Sequence, residues 1–171
     1  MTSKKEWYQI DNVEELDTPA LVIYKDRVKQ NIDTLIDSID DIDRLRPHVK
    51  THKSQQVCEL MLKAGIKKFK CATIAEAEML ALAGAPDVLL AYQPVGPKAH
   101  RLASMVKKFP STSFSCLIDN LETATFVSEV FAQQNRSITV CIDLNVGMNR
   151  TGITPDSALG LFDNCRQLKG I

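Results

Sequence analysis

Short apolar runs alternate with amphipathic helical patterns along almost the whole chain, and this alternation is what most restricts its fold. "ALVIY" (20–24) reads as a strand, and "DRVKQNIDTLIDSI" (26–39) sets Val28, Ile32, Leu35 and Ile39 near helical spacing. "RLRPHVK" then leads into the helical "SQQVCELMLKAG", with Ser54 placed to cap and Gly65 to end the helix. Four strand–helix pairs follow. "KKFKCA" precedes "TIAEAEMLALAGA", where Thr73 and Glu76 have capping-box spacing. "DVLLAY" precedes "GPKAHRLASMVKKF", "SFSCLID" precedes "NLETATFVSEVFAQQN", and "SITVCIDL" precedes "TPDSALGLFDNCRQL", which has Thr154 and Pro155 at its start. "KGI" at 169–171 looks like the opening of another strand.

Such a pattern predicts βαβ units and a parallel sheet, an α/β fold. The strands carry apolar residues on both faces, as a doubly covered sheet requires. From Lys50 onward successive strands start about 20–25 residues apart, which suits compact βα units. An open α/β sheet and a partial TIM-type barrel of about five strands plus a lead-in strand both fit. Only the barrel accounts for a chain that stops at the threshold of a further strand.

Composition narrows the function. The 21 basic and 21 acidic residues cancel, so no overall field favours nucleic acid or anionic lipid. No apolar run reaches the roughly 18 residues of a membrane span, and the N-terminus has no apolar leader core. The five cysteines lack CxxC pairing, and Cys71, Cys116 and Cys141 lie in strand-like runs. They are expected as buried free thiols in a reducing cytoplasm.

Ligands of α/β folds bind at the carboxyl ends of the strands. There the sequence places "HVKTHK" (48–53), "CATIAE" (71–76), "AYQPVG" (91–96), "LIDN" (117–120) and "DLNVGMNRTG" (143–152). Thr73, Asn120 and Thr154 are explained by helix capping. Lys50, Tyr92, Gln93, Asp143 and Arg150 are not. If residues 48–53 are extended, His48, Lys50 and His52 share one face. An amine among cationic or desolvating neighbours loses its proton more readily and becomes nucleophilic, as a Schiff-base lysine must. A solvated basic loop is the plain alternative. A zinc site on His48 and His52 lacks a third ligand nearby. A nucleic-acid patch would need aromatic interleaving and net positive charge.

"LDTPALVIYKDRVKQNI", "RPHVKTHKS", "KFKCATIAEAEML", "LLAYQPVGPK" and "IDLNVGMNRTGI" resemble, in the same order, the N-terminal part of the D-threonine aldolase and D-serine dehydratase group. These are alanine-racemase-like, fold-type III pyridoxal-phosphate enzymes. The resemblance runs from about Leu16 to the end. It implies a lead-in segment at 1–25, and at 26–171 the first part of a cofactor-binding barrel whose first strand ends at Lys50. Four more barrel strands would end near Ala72, Tyr92, Ile118 and Leu144.

Several site residues follow from the resemblance. Lys50 would hold pyridoxal phosphate as a Schiff base. His52 on the same face, Tyr92, Gln93, Asp143 and Arg150 would complete the cofactor environment. Arg150 matches the arginine that approaches the cofactor. Asp143 stands where alanine racemases carry a carbamylated lysine and is expected to pair with Arg150 across a turn at Gly147. The phosphate cradle, the ligands of a divalent metal (zinc or manganese) and a C-terminal β domain would lie downstream of Ile171. No metal ligand is therefore expected here, and the chain is expected to be part of a longer enzyme that binds the cofactor poorly on its own.

The implied activity is a lyase acting on a small D-3-hydroxy-amino acid, by aldol cleavage or dehydration, in a homodimer. A racemase of the same fold is a rival, but the racemase signature around the lysine is absent. A non-catalytic pyridoxal-phosphate carrier and an unrelated open α/β binding protein are the others.

Overall fold

The computed structural model describes residues 6–171. The chain divides into two compact units, Met1–Asp40 and Asp41–Ile171. In the first, helix α1 (Lys25–Asp37) follows a 3-10 turn at Val13–Glu15, and Ile32 is its buried residue. Trp7 stacks edge-on against Tyr8 and Tyr24 and lies under the Arg27 guanidinium, while the Tyr24 hydroxyl donates to the Tyr8 carbonyl at 2.6 Å. Residues 20–24, expected as a lead-in strand, form none. A strand exists only through its ladder, and no segment among the described residues pairs with this one; Leu21, Val22 and Ile23 are exposed.

The second unit alternates as its sequence predicts. Helix α2 (Gln55–Lys63) precedes β1 (Lys68–Cys71), α3 (Ile74–Leu82), β2 (Asp87–Leu90), α4 (Pro97–Lys108), β3 (Ser113–Ile118), α5 (Leu121–Ala132), β4 (Thr139–Ile142) and α6 (Pro155–Cys165). The strands are parallel and lie in the order β1-β2-β3-β4. A doubly wound sheet reverses its strand order at a switch point; this one only advances. The sheet is therefore the arc of a (β/α) barrel, a partial TIM-type fold.

Local chemistry sets the ends of the helices. Ser54, Thr73 and Asn120 accept the backbone N–H three residues on and cap α2, α3 and α5. Thr154 precedes α6 in a cap position, but its hydroxyl meets Ser157 Oγ instead. Gly65, at φ 99°, closes α2, with the Ile66 N–H reaching back to the Met61 carbonyl.

Two expectations change here. The strand expected to end at Lys50 is reduced to one bridge, His48 to Lys70, beside the Lys70 N–H to Pro47 carbonyl bond of 2.9 Å. Pro47 has no N–H to give to a ladder. His48 Nδ1 then accepts the Lys50 N–H at 3.2 Å and folds the chain into a 3-10 turn, Val49–Thr51. The strands are also uniformly apolar on one face only. Phe69, Cys71, Val88, Leu90, Phe114, Cys116 and Ile118 are buried. The alternate residues are Lys68, Lys70, Asp87, Leu89, Ser113, Ser115 and Leu117, mostly polar; they form the less buried face, the inner one in a barrel arc.

On that inner face Arg46 grips Asp87 with both nitrogens, at 2.5 and 3.0 Å, and also donates to the Phe69 carbonyl. The pair is about 30% exposed. Arg46→Ala should cost about 1–2 kcal/mol in urea unfolding, because it strands a carboxylate at the start of β2. Arg46→Lys should recover only part of this, since an ammonium cannot make the fork.

The thiols follow their faces. Cys58, Cys71, Cys116 and Cys165 are buried and free, but Cys141, expected buried, is exposed because β4 is the edge of the described sheet. Burial pushes the Cys58 thiol up to about 11 and those of Cys71 and Cys116 to about 12. These are core groups, not nucleophiles. "KGI" enters a turn that brings the Gly170 carbonyl to the Ile138 N–H at 3.0 Å, beside the start of β4.

Candidate active site

Two polar groups gather at the carboxyl ends of the strands. The first surrounds the turn after His48. Buried Val49 anchors it, and Lys50 points outward, exposed, with no hydrogen bond or ion pair at its amine among the described residues. His48, Lys50 and His52 do not line one extended face as expected. The 3-10 turn spreads them, with His48 at its entry and His52 at its exit.

Each imidazole binds a backbone N–H through Nδ1: His48 takes that of Lys50, and His52 takes that of Ser54 at 3.1 Å. In the neutral ring the proton must then sit on Nε2. His52 Nε2 is buried and has no partner. A buried donor left unpaired costs about 1–3 kcal/mol, so this nitrogen is a ready contact for a bound acceptor. Both rings titrate below their ordinary 6.5. For His48 burial leads, followed by Lys50 and Lys70; for His52 burial leads against the Ser54 bond and Glu76.

The sign of the pH effect follows. A histidine whose folded pKa lies below its unfolded value binds fewer protons when folded. Its contribution to stability is complete above about 6.5 and is lost as pH falls toward the lowered folded pKa. The urea midpoint is expected to fall between pH 7.5 and 5.5. His48→Gln should flatten that slope, and an unchanged slope would remove His48 as a cause.

The second group joins the ends of β2, β3 and β4. Gln93, 9% exposed, donates through Nε2 to Asp119 Oδ2 at 2.9 Å and to Asp143 Oδ2 at 3.4 Å. Asp119 Oδ2 also accepts the Gly152 N–H at 3.3 Å, and its other oxygen takes Asn120 Nδ2 at 2.9 Å. The chain crosses itself there: Ile153 N–H binds the Asp143 carbonyl, and Asn145 N–H binds the Ile153 carbonyl, both at 2.9 Å. The loop between turns at Gly147 and is braced by Asn145 Oδ1, which accepts the N–H groups of Gly147 and Asn149.

Arg150 rides this loop, exposed. It does not pair with Asp143; among the described residues no ion pair joins them. Asp143 turns to Gln93 instead. Tyr92 is half exposed with the Lys98 ammonium 5.7 Å from its ring centroid, and with Gln93 it lines a cavity of about 240 Å³. Of the expected residues, the structure joins Gln93 to Asp143. It leaves Lys50, His52, Tyr92 and Arg150 without a direct bond to that pair among the described residues.

Three residues take roles that the sequence does not announce. Asp119 directly follows the apolar run of β3, a strand-end acid whose signal was present but overshadowed by the cap at Asn120. Lys53 and Glu76 form a 2.5 Å ion pair across 23 positions, which no spacing rule exposes.

Lys50 thus stands exposed, with no partner for its amine among the described residues, at the mouth of a (β/α)-barrel arc. The chain belongs to the alanine racemase, N-terminal domain family, which matches residues 23–171. It is 29% identical over 163 residues to the D-threonine aldolase of an Arthrobacter species, covering 94% of this chain and 42% of that protein. It is 32% identical over 170 residues to the D-threo-3-hydroxyaspartate dehydratase of Delftia sp. strain HT23, covering 94% and 44%. The crystal structure of D-threonine aldolase from Filomicrobium marinum superimposes with a TM-score of 0.81 at 30% identity, over 90% of this chain and 42% of that one. The chain thus spans less than half the length of these relatives.

Proposed function

We propose that this chain is the lysine-bearing part of a pyridoxal-phosphate-dependent lyase acting on D-3-hydroxy-amino acids. The observation that supports this reading best is the free, exposed amine of Lys50 on a turn anchored by buried Val49, in a chain similar to two such enzymes. The residues present fit the cofactor. Lys50 would hold the aldehyde, the orphaned His52 Nε2 would find an acceptor, and Tyr92, Gln93, Asp143 and Arg150 would surround the ring. When bound, pyridoxal phosphate supplies an electron sink for negative charge at the amino acid's α-carbon.

The chain's own residues then act on position and charge. Gln93, fixed by two carboxylates, presents a rigid amide at the strand ends. Arg150, exposed and in no ion pair among the described residues, offers a cation to an anionic group. His52 is poised to donate a proton from Nε2. A divalent metal near the substrate hydroxyl belongs to the same proposal. Its ligands would come from other parts of the complete enzyme; among the described residues no three His, Cys, Asp or Glu side chains gather. Among the described residues no helix is long and apolar enough to cross a membrane. The complete enzyme is read as a homodimer with a small-molecule substrate and no nucleic-acid partner.

The test is borohydride reduction of the full-length protein with pyridoxal phosphate, followed by peptide mapping. The label is expected on Lys50; its absence there would sink the reading. Products from D-threonine or D-3-hydroxyaspartate then separate the chemistries. Glycine plus an aldehyde marks an aldolase, and a keto acid plus ammonia marks a dehydratase.

A further inference from the structure

We propose that Glu76, clamped by Lys53, is a positioning residue that fixes the turn carrying Lys50 and supplies the counter-charge of the basic cluster around it. Glu76 is 5% exposed, and both of its oxygens are engaged. Oε1 meets Lys53 Nζ at 2.5 Å, and Oε2 accepts the Ala72 N–H at 2.7 Å. In a capping box the third-position carboxylate turns back to the N-cap N–H. Thr73 does cap α3 by accepting the Glu76 N–H at 3.2 Å, but the carboxylate passes over Thr73 to Ala72. One side chain therefore ties the end of β1, the first turn of α3 and the turn that follows Lys50.

Lys53 pays a conformational cost to reach it. Its φ is 45°, a left-handed conformation unusual for a residue with a Cβ. Two bonds hold it there: its N–H to the Val49 carbonyl at 2.9 Å and its ammonium to Glu76. The Val49 bond closes the turn around Lys50, so the ion pair and the placement of the Lys50 backbone are one structural unit.

Charge points the same way. His48 is faced by Lys50 and Lys53 from its own turn, by Lys70 from β1 and by Glu76 from α3. Three cations thus meet a single carboxylate. Burial alone would raise the Glu76 carboxyl, but the Lys53 and Ala72 bonds outweigh it and hold the group below its ordinary 4.5. At neutral pH it is therefore an anion.

The role of Glu76 toward Lys50 rests on the function proposed above, and two readouts separate the claims. The first needs no cofactor: the His48 ring of the full-length protein is titrated by NMR. Glu76→Gln should move its pKa further down, because only the three lysines then face it. A merely damaged fold would move it up toward 6.5. An unmoved or raised value overturns the proposal. The second readout is the rate at which borohydride traps pyridoxal phosphate on Lys50. Glu76→Gln and Lys53→Met should each slow trapping about tenfold to a hundredfold, as misplacement of a reacting group does. Lys53→Arg, which can still pair with Glu76, should restore most of the rate. Wild-type trapping rates in Glu76→Gln and Lys53→Met would overturn the proposal and leave the lyase reading standing. Failure to label Lys50 in the wild type would sink that reading while the His48 titration still judges this one.

Discussion

Replacing Lys50 with alanine in the full-length protein is expected to abolish the visible cofactor band and to lower turnover at least about a thousandfold. Stability should hardly move. The Lys50 side chain is exposed and bonds to nothing among the described residues, and the turn is held by other atoms: buried Val49, the His48 ring on the Lys50 N–H, and the Lys53 N–H on the Val49 carbonyl. Exposed substitutions of this kind stay within about 0.5 kcal/mol. Lys53→Ala is the contrast. It lies three residues away in the same basic motif, yet it would leave the buried Glu76 carboxylate without its cation and should destabilise measurably. Thermal unfolding and turnover on the two variants therefore dissect the motif. Lys50→Ala keeps the fold and loses chemistry. Retained turnover in Lys50→Ala would end the assignment.

That dissection also shows what was legible in the sequence and what was not. The alternation of elements is a local signal, carried by apolar spacing and by caps such as Ser54 and Thr73, and the structure follows it in the second unit. Two expectations fail because a neighbouring group intervenes. Strand alternation alone would make residues 48–53 extended. The histidine rings captured backbone N–H groups and bent the chain instead. The resemblance implies that Asp143 meets Arg150 across the turn at Gly147. The nearer donor was Gln93, 50 positions away in sequence but adjacent across the strand ends. Lys53–Glu76 and Arg46–Asp87 are likewise long-range pairs set by strand and helix placement. A single sequence shows that such residues are polar and stand near the strand ends. It does not show which one each will face.

Gly152 is where the loop carrying Arg150 depends most on a missing side chain, and Gly152→Ala should be the most damaging small substitution in that loop. A Cβ there would lie 2.7 Å from the Asn145 nitrogen, 2.8 Å from the Leu144 carbonyl carbon and 2.9 Å from the Asp143 carbonyl oxygen. All three are backbone atoms, so no rotamer change relieves the contact. The φ of 95° adds strain for any residue other than glycine. Strain and overpacking together suggest about 3–5 kcal/mol, or roughly 10 °C in the unfolding midpoint of a domain this size. The displaced atoms are those that cross-tie Asp143, Asn145 and Ile153, and the Gly152 N–H is the one Asp119 holds. Activity should therefore fall with stability, because Arg150 and Asp143 lose their support together. Two other glycines separate the causes. Gly147→Ala has the same backbone strain at φ 119° but open space, so it should cost only the strain, on the order of 1–3 kcal/mol. Gly160→Ala sits in α6 with nothing within 4 Å and should stabilise by about 0.5–1 kcal/mol. If the three variants unfolded at the same temperature, close backbone packing at Gly152 would not be what holds this loop. The graded order Gly160, Gly147, Gly152 is the result that ties the loop's position to the crossing beneath it.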